Sequence, residues 1–271
     1  MDAPYRAADD VHVLPHHLPF PGVGVLPINA FVLRSAEPVL VDTGLGMDAG
    51  EFLDAVATAV DPADIRWVWL THDDADHTGN IQQVLEAAPQ AKLVCHAMSA
   101  LRMLTWWPVP LDRVHAICPG DRLSVGDRTL RAVAPPLFDN PTSTGFLDEA
   151  TGALFSVDSF GALLPAACED AAEVPAEALA GGMRAWATAD SPWAHSLDRA
   201  LYAQALDGVR ELKPTTIFSS HLPAAAGSSL DSLLDVLATV PDADRFPAPT
   251  AEQFAAMVAA MVAPPAPAPV A

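Results

Sequence analysis

Along the first third of the chain, apolar positions alternate between two periods. Ala30 to Leu33 and Pro38 to Val41 are short apolar runs flanking Ser35-Ala36-Glu37, which reads as two strands joined by a turn. Phe52, Leu53, Val56 and Val60 then recur at helical spacing from Glu51 to Val60, and Asp61-Pro62 ends that helix. Ile65 to Leu70 is β-branched and aromatic, hence a strand; Ile81 to Ala87 returns to the helical period, and Ala91 to Cys95 is a further strand. The predicted order is β-β-α-β-α-β. Further on, Asp121 to Pro136 reads as a hairpin turning at Gly126-Asp127. Gly145 to Gly161 reads as a second, turning near Ala150-Thr151-Gly152. The Ala-, Glu- and Gly-rich stretch from Glu169 to Gly182 reads as a mobile surface excursion. Leu201, Ala205 and Leu212 mark one face of a helix over Leu197 to Leu212. Thr215 to Ser219 is a last strand leading to His221, and Leu230 to Val240 and Glu252 to Val262 are terminal helices. The pattern predicts a single domain over 1–262 and a flexible Pro/Ala tail over 263–271.

Composition narrows the partners. Lys and Arg total 14 against 34 Asp and Glu, a net charge of -20, so phosphate backbones and anionic lipid surfaces are repelled and neither nucleic acid nor membrane is expected. The most apolar run, Phe254 to Ala263, falls short of the ~20 residues of a membrane helix. Met1 to Asp10 has no basic n-region and no apolar core, and Cys95, Cys118 and Cys168 form no CxxC pair; buried reduced thiols and a cytoplasmic location are the expectation.

Candidate chemistry concentrates in "LTHDDADHTGN", residues 70 to 80, directly after a predicted strand. In an extended loop alternate side chains share a side, so His72, Asp74 and Asp76 are expected to project together, with His77 following as the chain turns into a helix. Imidazole nitrogens beside carboxylate oxygens are a first-row transition-metal donor set. The competing reading is a solvated acidic loop with Asp76 as a helix cap. Asp73, at the odd position, is expected to face solvent or to support the others from behind. Asp42 in "VDTG" is a candidate for orienting a ligand histidine from beneath, and Trp193 and His195 in "SPWAHS" are pocket candidates, against a helix start at Ser196. Surface roles suit His12, His16 and His17.

The spacing H-x-D-x-D-H after a strand resembles the metal motif of the metallo-β-lactamase fold superfamily. Most hydrolases of that fold have His as the second ligand; the carboxylate at Asp74 is similar instead to the diiron branch, flavodiiron proteins and related oxygen-binding diiron proteins, which carry Glu. The stretches "PINAFVL" at 27–33, "VLVDTG", "GDRLSVGDRTLRAV", "LFSVDSFG" and "FSSHLP" resemble further segments of that branch, in order. The resemblance implies an α/β fold, a four-layer αββα sandwich of the metallo-β-lactamase type. It implies His72, Asp74 and Asp139 on one metal, Asp76, His77 and His221 on the other, and Asp158 as bridge. Asp139, in "LFDNP", stands where that branch carries His; its other reading is an Asp-Asn turn before Pro141. Four carboxylates would balance two divalent cations, and hard oxygen ligands favour iron, with manganese or zinc as other occupants.

The function implied is a diiron oxidoreductase that binds or activates dioxygen, for O₂ or NO reduction or for oxidation of a small-molecule substrate. No flavin motif accompanies the metal motif, so electrons are expected from a separate donor protein, and the same resemblance makes a homodimer an expectation. Two readings compete. One is a dinuclear hydrolase of an ester, thioester or lactone, with two metals about 3.5–4 Å apart activating water. The other is a non-enzymatic O₂ sensor with a saturated site.

Overall fold

A computed structural model describes residues 1–20 and 22–262; the tail expected over 263–271 lies outside the described residues. Two sheets face each other. The first, in spatial order, comprises β1 (Tyr5–Arg6), β2 (Val11–Phe20), β3 (Gly24–Leu33), β4 (Val39–Val41), β5 (Trp67–Trp69), β6 (Lys92–Cys95) and β7 (Val114–Ala116). The second contains β8 (Arg122–Ser124), β9 (Thr129–Val133), β10 (Gly145–Asp148), β11 (Ala153–Phe155), β12 (Thr216–Ser219) and β13 (Leu222–Ala226), in the order β13-β12-β11-β10-β9-β8. Alternation along each strand sends one set of side chains between the sheets and the other outward. The inner set packs Phe31 edge-on to Phe155 at 5.4 Å between ring centroids, Trp69 against Phe146 at 4.6 Å, and Phe146 on Phe155 at 4.3 Å.

Helices cover the outer faces. Leu40, Val68 and Leu93 of the first sheet bury against α1 (Phe52–Ala57), α3 (Ile81–Ala87) and α4 (Ala97–Met103) through Phe52, Val56, Val84 and Met103. Leu154 and Ile217 of the second bury against α5 (Ala176–Asp190), α6 (Arg199–Arg210) and α7 (Leu230–Thr239) through Met183, Leu206, Val209 and Leu234. The layers are thus helices, sheet, sheet, helices, the αββα order expected. The short α2 (Ala75–Thr78) and the C-terminal α8 (Ala251–Val262) complete the described helices. Among the described residues no helix is long and apolar enough to cross a membrane.

Parallel pairing positions the site. β4 runs parallel to β5, and β11 parallel to β12, so within each pair the carboxyl ends open at the same edge. In α/β folds such an edge is where loops gather functional groups. The two edges are tied together by Asn29 of β3, whose N–H donates to Ser220 O at 2.8 Å and whose Nδ2 donates to Ser219 O at 3.1 Å and Leu222 O at 2.9 Å.

Several elements depart from the sequence expectation. β2 runs through Pro15 and Pro19, residues that lack an N–H and hide a strand from pattern reading, yet its Val11, Val13 and Leu14 are buried. Residues 176–190, partly read as a mobile excursion, form the fifteen-residue α5, preceded by a turn in which Asp170 and Glu173 cap each other's backbone. On α6 the buried face is Tyr202, Leu206 and Val209; Leu201 is exposed, so the expected face was rotated by one residue. That helix is capped by Asp198, whose carboxylate accepts from Ala200 and Leu201, and not by Ser196. Of the cysteines, all free, only Cys95 is buried; Cys118 is exposed.

Candidate metal centre

The strand β4 leads into Asp42, a non-glycine residue at φ 58°, and β5 leads through Leu70 into Thr71-His72. Asp42 turns back under the second loop: its Oδ1 accepts from Thr71 N at 2.8 Å and its Oδ2 from Thr71 Oγ1 at 2.9 Å. On the other sheet β11 leads through Ser156 into Val157 at φ 58°, a conformation that a β-branched residue adopts only under constraint, and Asp158 follows. The constraint is visible: Val157 O accepts from Ser220 N at 2.9 Å and Ser219 Oγ at 3.0 Å, locking the Asp158 loop to the loop that carries His221.

These loops bring seven predicted residues together in two groups. His72 Nε2 stands 3.8 Å from Asp74 Oδ2, 3.7 Å from Asp139 Oδ1 and 3.3 Å from Asp158 Oδ2. Asp76 Oδ2 lies 3.3 Å from His77 Nε2 and 3.5 Å from His221 Nε2, and Asp158 Oδ1 lies 3.3 Å and 3.2 Å from the same two nitrogens. Asp158 therefore turns one oxygen to each group. The acidic loop is not extended throughout, as expected from alternation: α2 begins at Ala75, and a helical turn, not a strand pleat, presents Asp76 and His77.

The donor chemistry fits metal ions. His77 Nε2, Asp158 Oδ1 and Asp139 Oδ1 are buried with no hydrogen-bond partner, though surrounded by polar atoms. Unpartnered buried polar atoms are costly unless something else satisfies them. Ligands about 2.1 Å from an ion at about 90–110° to one another stand about 3.0–3.4 Å apart, the spacing of the Asp158 contacts. The far nitrogens are already engaged: His77 Nδ1 is 2.8 Å from Asp42 Oδ2, and His221 Nδ1 donates to Pro27 O at 2.8 Å. Each bond keeps the proton on Nδ1 and leaves the Nε2 lone pair facing the cluster.

The bare side chains show the charge that an ion would offset. Burial pulls His221 and His77 down, but carboxylates outweigh it: Asp158 and Asp76 raise His221 to about 9, and Asp76, Asp42 and Asp158 hold His77 well above its ordinary value. Burial pushes Asp158 up, yet the histidines around it hold it well below the usual carboxylate range. His72 is lowered, by burial first and His77 second. Asp139 is pushed up to about 8 by burial and by Asp158 and Asp74 beside it. Protons here occupy places that metal binding would clear.

The surroundings revise other expectations. Of the two places expected for Asp73, the structure agrees with the one behind the others and not with the solvent-facing one: its side chain is 5% exposed, pairs with Arg102 Nε at 2.9 Å and accepts from Thr142 Oγ1 at 3.2 Å. Asn140, next to Asp139, donates through Nδ2 to Asp74 Oδ1 at 2.8 Å and accepts from Arg102 Nη1 at 3.1 Å. Trp193 packs on Phe138 and donates to its carbonyl at 2.8 Å, bracing the segment that carries Asp139. His195, in the turn Pro192–Ser196, is not brought into either group. His16 instead meets the buried Asp48 at 3.1 Å, and His17 meets Asp2 at 3.0 Å.

Sequence reasoning missed three residues here: Asn140, Trp186 and Asp190. Asp190 closes α5 near the cluster, its oxygen grouped with those of Asp139 and Asp158 within 4.8 Å, and burial with Asp158 raises it to about 7. The signal existed. "MRAWATAD" is rich in alanine, the strongest helix former, and places Trp186 and Asp190 one turn apart on one face.

Comparison with known proteins agrees with this fold. The family model described as the metallo-beta-lactamase superfamily matches residues 23–221. A flavo-diiron protein, FprA2, of Clostridium acetobutylicum is 26% identical over 134 residues, which are 49% of this chain and 34% of that protein. An anaerobic nitric oxide reductase flavorubredoxin of Salmonella typhi is 27% identical over 134 residues, 49% of this chain and 28% of its own length. The aligned stretch thus spans about a third of each relative. Among solved structures, rubredoxin oxygen:oxidoreductase from Desulfovibrio gigas superposes with a TM-score of 0.72 at 21% identity, covering 88% of this chain and 60% of that one, a likeness of fold. With the family model spanning most strands of both sheets and all four loop segments that build the cluster, this chain belongs to the metallo-beta-lactamase superfamily, and its relatives lie in the flavodiiron branch.

Proposed function

We propose that the chain is a diiron oxidoreductase domain that binds and reduces O₂ or NO with electrons from a separate donor. The observation that carries this reading is Asp158, buried and turned with one oxygen to the His72 group and the other to the His77 and His221 group. A single carboxylate so placed would bridge two ions. His72, Asp74 and Asp139 would hold one ion, Asp76, His77 and His221 the other. The metal pair supplies the electron transfer to a small ligand when bound. The protein's part is to fix the histidine tautomers through Asp42 and Pro27 and to hold Asp74 through Asn140. The relatives named for nitric oxide and oxygen support this class of substrate. An oxygen-rich donor set supports iron over zinc. Homodimerisation remains part of the reading, as does an intracellular, reducing setting for the free thiols.

The test is elemental analysis of protein purified without air from iron-supplemented cells, beside Asp158→Ala and Asp74→Ala, followed by O₂ and NO consumption with a chemical reductant. About two irons per chain, lost in Asp158→Ala, with reductant-dependent consumption of either gas, is the expected result. About two zincs taken up against excess iron, with ester or thioester hydrolysis, would overturn it.

A further inference from the structure

The helix α5 leans its Trp186–Ser191 turn against the Asp158 loop. Between them lies a cavity of about 10 Å³, lined by Leu137, Asp158, Phe160, Trp186, Asp190 and Ser191. That volume has room for about one water or a ligand of similar size. Its polar walls are unsatisfied. Trp186 Nε1 is buried and donates to nothing, and Ser191, fully buried, has no partner for Oγ. Buried donors left open beside a small cavity call for an acceptor inside it.

The backbone has made room for this arrangement. A Cβ on Gly161 would stand 2.6 Å from Trp186 Cδ1, 2.8 Å from Trp186 Nε1 and 2.8 Å from His221 Cβ. Gly161 lets the indole reach edge-on to the His221 ring, 5.1 Å between centroids. In an ordinary core contact the indole N–H finds a backbone carbonyl, as Trp69 does at Thr144 O. Trp186 is placed differently.

We propose that Trp186 and Ser191 are positioning residues whose N–H and O–H hold a ligand of one or two heavy atoms in the cavity beside Asp158, so that α5 sets the size of ligand the centre accepts. The identity of that ligand as O₂ or NO rests on the reading under Proposed function; the donor role does not. The residues act by hydrogen bonding to the ligand atom that enters this cavity, and Phe160 and Leu137 on its wall limit the length of that ligand.

The test compares wild type with Trp186→Phe, which keeps an aromatic ring and deletes the N–H, and with Ser191→Ala. Two probes are used on the iron-loaded protein: nitric oxide on the reduced form and fluoride, a one-atom acceptor, on the oxidised form. The expected result is unchanged iron content, binding of both probes weakened about five- to tenfold in Trp186→Phe, and a higher N–O stretching frequency in the nitric oxide adduct. Ser191→Ala carries the same comparison if Trp186→Phe does not fold. Iron-replete variants that bind fluoride and nitric oxide as wild type does, with an unmoved N–O stretch, would overturn the inference. Iron-loaded wild type that binds fluoride but not nitric oxide would overturn the function reading alone, and the fluoride comparison would still decide Trp186.

Discussion

Asp42 Oδ2 stands 2.8 Å from His77 Nδ1, deep beneath the cluster, and the same carboxylate accepts from Thr71 N and Thr71 Oγ1. One side chain thus fixes the tautomer of a proposed ligand and the backbone of the loop that carries another, His72. Its φ of 58° is a conformation that Asn tolerates and Ala does not. Asp42→Asn is therefore expected to fold while weakening metal binding about 10- to 100-fold, through a misoriented and less basic His77. Competition against a chelator of known affinity measures this. Asp42→Ala should in addition lower stability by about 1–3 kcal/mol for each Thr71 donor left unpaired, read by urea denaturation of the metal-free protein.

Asp139 and Asp158 should differ in what their loss removes. Asp139 contacts only the His72 group, whereas Asp158 contacts both. Metal content is expected to fall from about two to about one ion per chain in Asp139→Ala and to near none in Asp158→Ala. Asp139→His restores a nitrogen ligand and removes one negative charge, so it should retain both ions and take zinc more readily against iron than wild type does. Elemental analysis after loading with equimolar iron and zinc, without air, gives both answers. Equal losses in the two alanine variants would remove Asp158 from its bridging place.

How much of this was legible beforehand differs by element. The hydrophobic period disclosed the strands leading into Asp42, His72 and Asp158 because those strands are buried on both faces and flanked by turn residues. It hid β2, where Pro15 and Pro19 interrupt a run that tertiary pairing with β3 nonetheless holds in register over ten residues. It also mistook α5 for an excursion, because Gly181 and Gly182 lower helix propensity. Gly182 is there for a contact that no local pattern records: its Cβ would fall 2.1 Å from Leu163 O. The candidate ligands near residue 72 were legible as a donor set. The convergence of Asp139, Asp158 and His221 on them came from resemblance, since long-range proximity leaves no trace in spacing. Asn140 had neither signal, and Asp190 had only the helical composition of its own segment.

Gly79 ties the acidic loop to the β4 loop. It donates to Gly44 O at 2.9 Å, and a Cβ on it would stand 2.1 Å from Gly46 N and 2.4 Å from Gly44 O. Both neighbours are backbone and cannot rotate away. Gly79→Ala should force the two loops apart, costing about 1–3 kcal/mol or more, and should displace His77, whose carbonyl accepts from Thr43 N at 2.8 Å and Thr43 Oγ1 at 2.8 Å. The expected signature is a lowered Tm together with reduced metal retention. A variant as stable as wild type would show that the loops separate freely.

Arg128 offers the complementary case, a half-buried cation on a buried carboxylate away from the cluster. Its Nη1 lies 3.1 Å from Asp148 Oδ2 at the end of β10 and also meets Asp10, joining the β8–β9 turn to the start of β2. Asp148 is fully buried and accepts further from Ala150 N at 2.9 Å and Thr151 Oγ1 at 2.8 Å. These neighbours hold the Arg128 proton above even its usual high range, with burial opposing and Asp10, Asp127 and Asp148 prevailing. Removing the cation alone leaves an uncompensated carboxylate, so Arg128→Met should destabilise by about 3–5 kcal/mol. Replacing both, Arg128→Met with Asp148→Asn, should recover part of that loss, because the asparagine is neutral and its Oδ1 keeps an acceptor for Ala150. Urea midpoints of the two variants decide this, and metal content per folded chain should match wild type in both. If the double variant is no more stable than Arg128→Met, the cost lies in lost packing of the guanidinium stem and not in the stranded charge.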